Sequence, residues 1–358
     1  MAEMRRRPDA CTLCTLLGIE WPIVQAPMAG SQGSALAVAV SNAGGLGSLP
    51  CAMLGAEALR QELTALQQGT SRPFNVNFFC HQPPVPDAGR EAAWRQRLAP
   101  YHAELGLEAE AMPAAAPRVP FGPEAAAVLE AFRPAVVSFH FGLPAPELLQ
   151  RVRAWGAKVL SSATTVEEAR WLEARGVDVV IAQGVEAGGH RGMFLSTDLS
   201  TQTSTMALLP EVVRAVKVPV IAAGGIAGPE AVAAALAMGA AGVQVGTAYL
   251  LCQEATTSAV HRAALASREA QHTALTNVFT GRPARGIVNR LMRELGPMSD
   301  LAPAFPLAAQ SVAALRAKAE SLGSGDFSPL WAGQDTSGCR EVPASEVTLH
   351  LAQGVLRH

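Results

Sequence analysis

The chain is 358 residues long, 49% hydrophobic and only 16% charged, with a formal net charge of −2. That length holds one large domain plus a smaller one around a sizeable core, and the composition excludes a disordered chain. So weak a charge offers no basic field, and nucleic acid is not an expected partner.

In chain order, Arg5-Arg6-Arg7 and the uncharged stretch from Ala10 to Ile19 resemble a short signal peptide. No small-residue cleavage site follows, and Glu20 interrupts before a strand the fold needs, so a cytoplasmic protein is the expectation. No run reaches the roughly 20 apolar residues of a membrane span, and no membrane partner is expected. Cys11 and Cys14 form a Cys-x-x-Cys, but no second pair completes a zinc site; they read as core-facing residues. The six cysteines lie far apart and read as reduced.

Short apolar runs then alternate with helical stretches. Ile23 to Met28 is the first run, followed by a predicted helix through Ala35 to Asn42. Leu46 to Leu49 precedes a helix over Ala56 to Gln67, and Phe74 to Phe79 is the third run. Residues 81–120 break the rhythm with seven prolines and read as an excursion or lid. A helix near Glu124 to Phe132 restores it, and Ala135 to Phe141, Lys158 to Ala163, Val177 to Ala182, Val218 to Ala223 and Gly242 to Val245 complete the runs. Predicted helices near 147–155, 166–175, 209–216 and 229–238 separate them.

Alternation of this kind implies parallel strands, and eight of them suit a closed α/β barrel of the TIM type. The runner-up, an open doubly wound sheet, wants Gly-x-Gly-x-x-Gly after the first strand; Gly30 and Gly33 have the wrong spacing. The barrel is expected over residues 1–252, with the 81–120 insertion. Residues 253–358 are expected to form a smaller, mainly helical cap and a C-terminal tail.

In such barrels the chemistry sits at the C-terminal ends of the strands. The most informative of those ends is Gln183-Gly-Val-Glu-Ala-Gly-Gly-His-Arg-Gly192, where His190 stands in a glycine frame that lets backbone come close to a ligand. Glu186 either caps the following turn, orients Arg191 or is simply solvated. His140 ends the fourth run, where it contacts substrate or donates to a carbonyl. Gly224-Gly225 before Pro229, and Gln244-Val245-Gly246-Thr247, mark the usual phosphate site of the fold, where free N–H groups and a helix dipole bind the dianion. A Schiff-base mechanism needs a lysine at a strand's C-terminal end, and the three lysines, Lys158, Lys217 and Lys318, lie elsewhere. Clustered carboxylate and histidine ligands are missing too, so no metal is expected and a phosphorylated organic cofactor fits better.

With those elements placed, the chain resembles the nitronate monooxygenases. The resemblance runs from about Leu16 to Gln334. It rests on Pro22-Ile-Val-Gln-Ala-Pro-Met28, Phe74-Asn-Val-Asn77, Ser138-Phe-His-Phe-Gly142, the Gln183 to His190 loop, Ala222-Ala-Gly-Gly225, Gln244-Val-Gly-Thr247 and Leu330-Trp-Ala-Gly-Gln334. It implies a TIM barrel with a helical second domain, and FMN as cofactor. FMN contacts would then fall on Asn77, Gln183, Gly188, Gly189, Gly224, Gly225 and Gln244 to Thr247, with the backbone of Pro27 and Met28 near the isoalloxazine. The family's catalytic histidine matches His190, a base towards neutral nitroalkanes, and the flavin carries the electron chemistry towards oxygen, giving a carbonyl compound and nitrite. Relatives often line the substrate pocket with cap tyrosines, whereas this chain has only Tyr101 and Tyr249; Phe305 and Phe327 are the expected replacements. Trp331 reads as a core or lid aromatic. NAD(P)H:quinone and enoyl-thioester reductases of the same fold stay open as alternatives, as do a non-catalytic FMN-binding scaffold and a homodimer.

Overall fold

The computed structural model describes residues 11–107 and 118–357; Arg5-Arg6-Arg7 and the centre of the proline-rich insertion lie outside them. Strands β1 (Ile23–Gln25), β2 (Gly47–Pro50), β3 (Phe74–Phe79), β4 (Val136–His140), β5 (Lys158–Ala163) and β6 (Val179–Gln183) follow the expected runs. A two-residue strand β7 (Gly189–His190) comes next, then β8 (Val220–Ala223), β9 (Gly242–Val245), β10 (Thr273–Thr276) and β11 (Ala284–Ile287). All but β7, β10 and β11 join one parallel sheet in the order β1-β9-β8-β6-β5-β4-β3-β2. A parallel bridge from Val24 to Leu46, with Gln25 N–H donating to the Leu46 carbonyl at 2.9 Å, closes it into the expected barrel. β1 ends earlier than the apolar run, because Pro27 has no N–H to continue a ladder.

The two ends of the barrel are built differently. At the N-terminal end the helix Thr12–Leu17 lies across the opening, and its fully buried Leu13 joins Leu17, Val24, Leu46, Val136, Leu160 and Ile221 in an apolar plug. Cys11 and Cys14 pack against that plug. Removing the Leu13 side chain would cost about 2–5 kcal/mol. Further up, the inward positions turn polar. Asn75 Nδ2 donates to Ser48 Oγ at 3.0 Å and to Ser138 Oγ at 2.9 Å, and Asn77 Nδ2 reaches Ser138 Oγ at 2.9 Å. Strand alternation alone delivers this change.

Two cores cross the boundary expected at residue 252. The last helix, Ala344–Val355, buries Ala344, Val347, Leu351 and Ala352 in the main core of the barrel, so the chain's end returns to the barrel. Conversely the proline-rich insertion contributes helix Ala88–Glu104, capped by Asp87 accepting from Arg90 N–H. Its Trp94, Leu98 and Tyr101 share the second core with Val278, Phe279, Leu291, Leu315 and Phe327. The second unit, expected to be mainly helical, also carries strands. β10 and β11 pair antiparallel, and β11 also pairs with β7, placing Ala284 opposite His190 and Arg285 opposite Gly189. The loop after β6 is therefore one edge of a three-stranded sheet that fastens the cap to the barrel.

Candidate active site

One cavity opens at the C-terminal rim of the barrel, and every candidate residue from Pro27 to Thr247, with His140 and His190, lines it. Its two ends differ in chemistry.

At one end β8 runs into Gly224 and Gly225, with φ of 119° and 68°, a left-handed turn that residues with a Cβ adopt only under strain. The helix Pro229–Ala237 starts just beyond, with Pro229 at its first position. Ala223 pairs with Gln244, which sets Gly246 and Thr247 beside that turn. A Cβ built on Gly225 would meet only the Glu186 side chain, at 3.5 Å, so the turn faces open space. Glu186 is committed: its carboxylate accepts from Thr205 N–H at 2.8 Å and lies 3.0 Å from Thr205 Oγ1, capping the helix Thr205–Ala215. It does not hydrogen-bond Arg191. That fully buried guanidinium donates instead to the carbonyls of Gly184 (2.6 Å) and Gln183 (2.7 Å) and to Gln202 (3.0 Å). Gly188 serves packing, since a Cβ there would lie 2.6 Å from the backbone of Ala332 and Gly333.

At the other end stands His190. Its carbonyl accepts from Gln183 Nε2 at 3.0 Å and from His140 Nε2 at 3.2 Å, while Gln183 Oε1 accepts from Gly192 N–H at 2.7 Å. His140 Nε2 must carry its proton to donate to a carbonyl, so Nδ1 is the acceptor for Ser162 Oγ at 2.5 Å. Both nitrogens of His140 thus have protein partners. His190 is different. Nε2 contacts Thr280 Oγ1 at 2.9 Å, and Nδ1 has no partner among the described residues, while the residue lines the cavity.

Aromatic rings surround His190: Phe305 at 5.3 Å, Trp331 at 5.6 Å, and Phe79 and Phe141 each at 6.1 Å. Of the two phenylalanines expected to line the substrate pocket, Phe305 packs on His190 without being among the residues that line the cavity. Phe327 does not, because it is buried in the second core against Tyr101. Phe141 has a φ of 68°, which costs on the order of 1–3 kcal/mol in a residue with a Cβ. The Arg282 guanidinium lies 3.9 Å from the Phe141 ring and donates to the Met193 carbonyl. Arg118 lines the cavity and lies 5.9 Å from Phe305.

The charges have a direct consequence. Burial, then the positive charge of Arg118, with that of Arg282 and the mutual repulsion that protonated His140 and His81 rings would add, hold His190 well below the ordinary histidine value. Burial and Arg282 bring His140 down to about 3, and burial with Arg282 brings His81 to about 4. All three rings are neutral at pH 7. Arg118, Thr280, Arg282 and His81 have no local signature in the sequence. They reach the site only because β11 pairs with the His190 strand and the insertion folds over the rim.

A closed parallel barrel with such a cavity at its C-terminal rim is the framework of a TIM-barrel enzyme. Residues 11–354 match the family model described as "Nitronate monooxygenase", and the chain belongs to that family of oxidoreductases. A nitronate monooxygenase of Pseudomonas aeruginosa is 42% identical over 343 residues, covering 94% of this chain and 97% of the relative. A nitroalkane oxidase from Streptomyces ansochromogenes has a solved structure that superposes with a TM-score of 0.88 at 41% identity, covering 96% of this chain and 98% of that one. FabK from Thermotoga maritima superposes at 0.73 with 27% identity, covering 97% and 96%.

Proposed function

We propose that the protein oxidises alkyl nitronates with oxygen, releasing nitrite and a carbonyl compound, and accepts neutral nitroalkanes after His190 removes the α-proton. The observation that carries this reading is one cavity joining the Gly224-Gly225 turn to His190, whose Nδ1 has no partner among the described residues, with Arg118 on the cavity wall. FMN fits the first end: two glycines in a left-handed turn beside a helix N-terminus make a cradle that a Cβ would narrow. Gly224, Gly225, Gly246 and Thr247 would hold its phosphate, while Asn77, Gln183, Gln244, Gly188, Gly189, Val245 and the Pro27-Met28 backbone would line the rest. Bound FMN supplies the electron transfer to oxygen.

The chain's own residues do three things. The rings of Phe79 and Trp331, backed by Phe141 and Phe305, exclude water and select an apolar alkyl group. Arg118 on the cavity wall, with Arg282 behind the Phe141 ring, places positive charge where a nitronate carries its negative charge. His190, kept neutral by its surroundings, is able to take a proton at pH 7. Six free cysteines fit a reducing compartment, as in the cytoplasm, and among the described residues no helix is long and apolar enough to cross a membrane.

Anaerobic mixing tests the reading. An alkyl nitronate should change the flavin spectrum, and admitting air should release nitrite, whereas NADH and NADPH should leave the spectrum unaltered. Rapid bleaching by a nicotinamide, with no nitrite from any nitronate, would replace this reading with the quinone or enoyl-thioester reductase. A colourless protein that takes up no FMN would leave only the scaffold.

A further inference from the structure

We infer that Thr280 is a positioning residue that fixes the tautomer of His190, so that the nitrogen offered to substrate is Nδ1 with its lone pair free. The inference rests on the base role proposed for His190 and names the atom that performs it.

Thr280 is 2% exposed, so its hydroxyl must find its partners inside the protein. It has two within reach: His190 Nε2 at 2.9 Å and the Arg282 carbonyl at 3.4 Å. A hydroxyl has one proton to give, and a carbonyl can only accept. If Thr280 donates to the Arg282 carbonyl, its oxygen accepts from a protonated Nε2 and both contacts are hydrogen bonds. If it donates to Nε2 instead, the Arg282 carbonyl loses its donor and the proton of His190 moves to Nδ1. The first arrangement makes two bonds where the second makes one. It also leaves Nδ1, which has no partner among the described residues, unprotonated.

The hydroxyl is held where it stands. Gly281 N–H donates to the Asn277 carbonyl at 2.7 Å, and Gly281 has a φ of 88°. A Cβ on Gly281 would lie 2.0 Å from the Pro303 carbonyl, so the turn is pressed against the segment that carries Phe305. Phe305 and Trp331 in turn pack on the imidazole and oppose a ring flip that would exchange the nitrogens. β7 pairs with β11, and both His140 and Gln183 hold the His190 carbonyl, which fixes the backbone beneath the ring.

The step this arrangement permits is a simple proton transfer. The α-C–H bond of a nitroalkane breaks, its electron pair stays with the substrate as the nitronate, and the proton goes to Nδ1. The imidazolium keeps its Nε2–H bond to Thr280 throughout. No rearrangement of the proton network is needed.

The test uses holoenzyme carrying 15N-labelled histidine, in the wild type and in the Thr280→Val and Thr280→Ser variants. Long-range proton–nitrogen spectra, with the His190 signals assigned by their loss in His190→Asn, should show Nε2 protonated and Nδ1 bare in the wild type and in Thr280→Ser. Thr280→Val keeps the shape without the hydroxyl, and Nδ1 should become protonated in part of the population. Its turnover of a neutral nitroalkane should fall roughly tenfold, as expected for one lost hydrogen bond, while turnover of the nitronate stays within about twofold. Thr280→Ser should restore both. A wild-type His190 protonated at Nδ1 would overturn the inference. So would a Thr280→Val enzyme that loses both activities equally, or that keeps the wild-type tautomer and the wild-type ratio of activities. The spectrum reads the tautomer whether or not His190 is a base, so failure of the base role shows separately, as a His190→Asn enzyme that still turns over the neutral substrate.

Discussion

The glycine end and the histidine end of the cavity lie in one barrel rim yet are made by different means. The glycine end is local: Gly224 and Gly225 follow β8 directly, Pro229 starts the next helix, and Gly246-Thr247 follow the neighbouring strand. Its turn comes from backbone conformation, and from beyond the barrel it receives chiefly backbone support, as where Gly333 N–H donates to Thr247 Oγ1 at 3.0 Å. The histidine end is assembled from far-apart segments that bring Phe79, Arg118, Phe141, Thr280, Arg282, Phe305 and Trp331 around His190. Its properties come from packing, burial and charge. Binding and proton transfer should therefore be separable by mutation.

The largest break should come at the glycine end. Gly225→Asp puts a carboxylate and a strained Cβ into a turn with a φ of 68°, at the place assigned to the phosphate dianion. FMN content, read from the absorbance of the purified protein, should fall close to zero. A variant that purifies fully loaded would remove the phosphate from this turn. Next in size is His190→Asn, which keeps some hydrogen bonding but cannot take the proton. Turnover of a neutral nitroalkane should drop by about 10² to 10⁴-fold, while FMN content and most nitronate turnover persist. Equal losses on both substrates would make His190 an orienting or charge-stabilising residue instead.

What was legible in the sequence follows the same division. Parallel alternation and strand-end glycines depend on residues near one another in the chain, so the barrel order, the Gly224-Gly225 turn and the His190 loop could be placed from the sequence. The cap could not be placed as well. Thr273–Thr276 and Ala284–Ile287 are four-residue strands that pair with each other, and the second also with the two-residue edge Gly189–His190, all too short for a period to show. Phe305 and Phe327 look alike in sequence, yet one packs on His190 and the other on Tyr101, because only the tertiary fold decides which ring the barrel rim receives. Glu186 and Arg191 are five residues apart and of opposite charge, and still the carboxylate caps a helix while the guanidinium ties down carbonyls.

A third prediction sets the two ends apart by pH. His140 and His190 have values lowered below the ordinary histidine value of 6.5 by burial and by neighbouring positive charge, and His81 shares the effect. In the unfolded chain these rings take up protons as pH falls through about 6.5, but in the folded protein they resist until well below that. Protonation therefore favours the unfolded state, and stability should fall as pH drops from about 6.5 towards 4. Each group contributes at most about 1.4 kcal/mol per pH unit in that window. Denaturant titrations at a series of pH values would measure it. The slope should shrink in a His140→Gln variant and stay unchanged in Gly225→Asp; a wild type equally stable at pH 6.5 and pH 4.5 would show that the histidines are not held neutral.

The finest test concerns Arg118. After burial, its charge is the largest cause that holds His190 below its ordinary value. Arg118→Gln keeps a long polar side chain but removes the positive charge, so the imidazolium becomes easier to form. The acid limb of the pH–rate profile for a neutral nitroalkane should move upward, by less than about one pH unit, because burial still dominates. At a pH above the limb the proton-transfer rate should fall by a constant, pH-independent factor, since His190 is neutral in both proteins but the developing nitronate loses the charge of Arg118. FMN content should also be unaltered, because Arg118 stands at the histidine end and away from the glycine turn. A limb that moves downward would contradict the sign of the electrostatics. Loss of FMN in this variant would show that the two ends of the cavity are coupled after all.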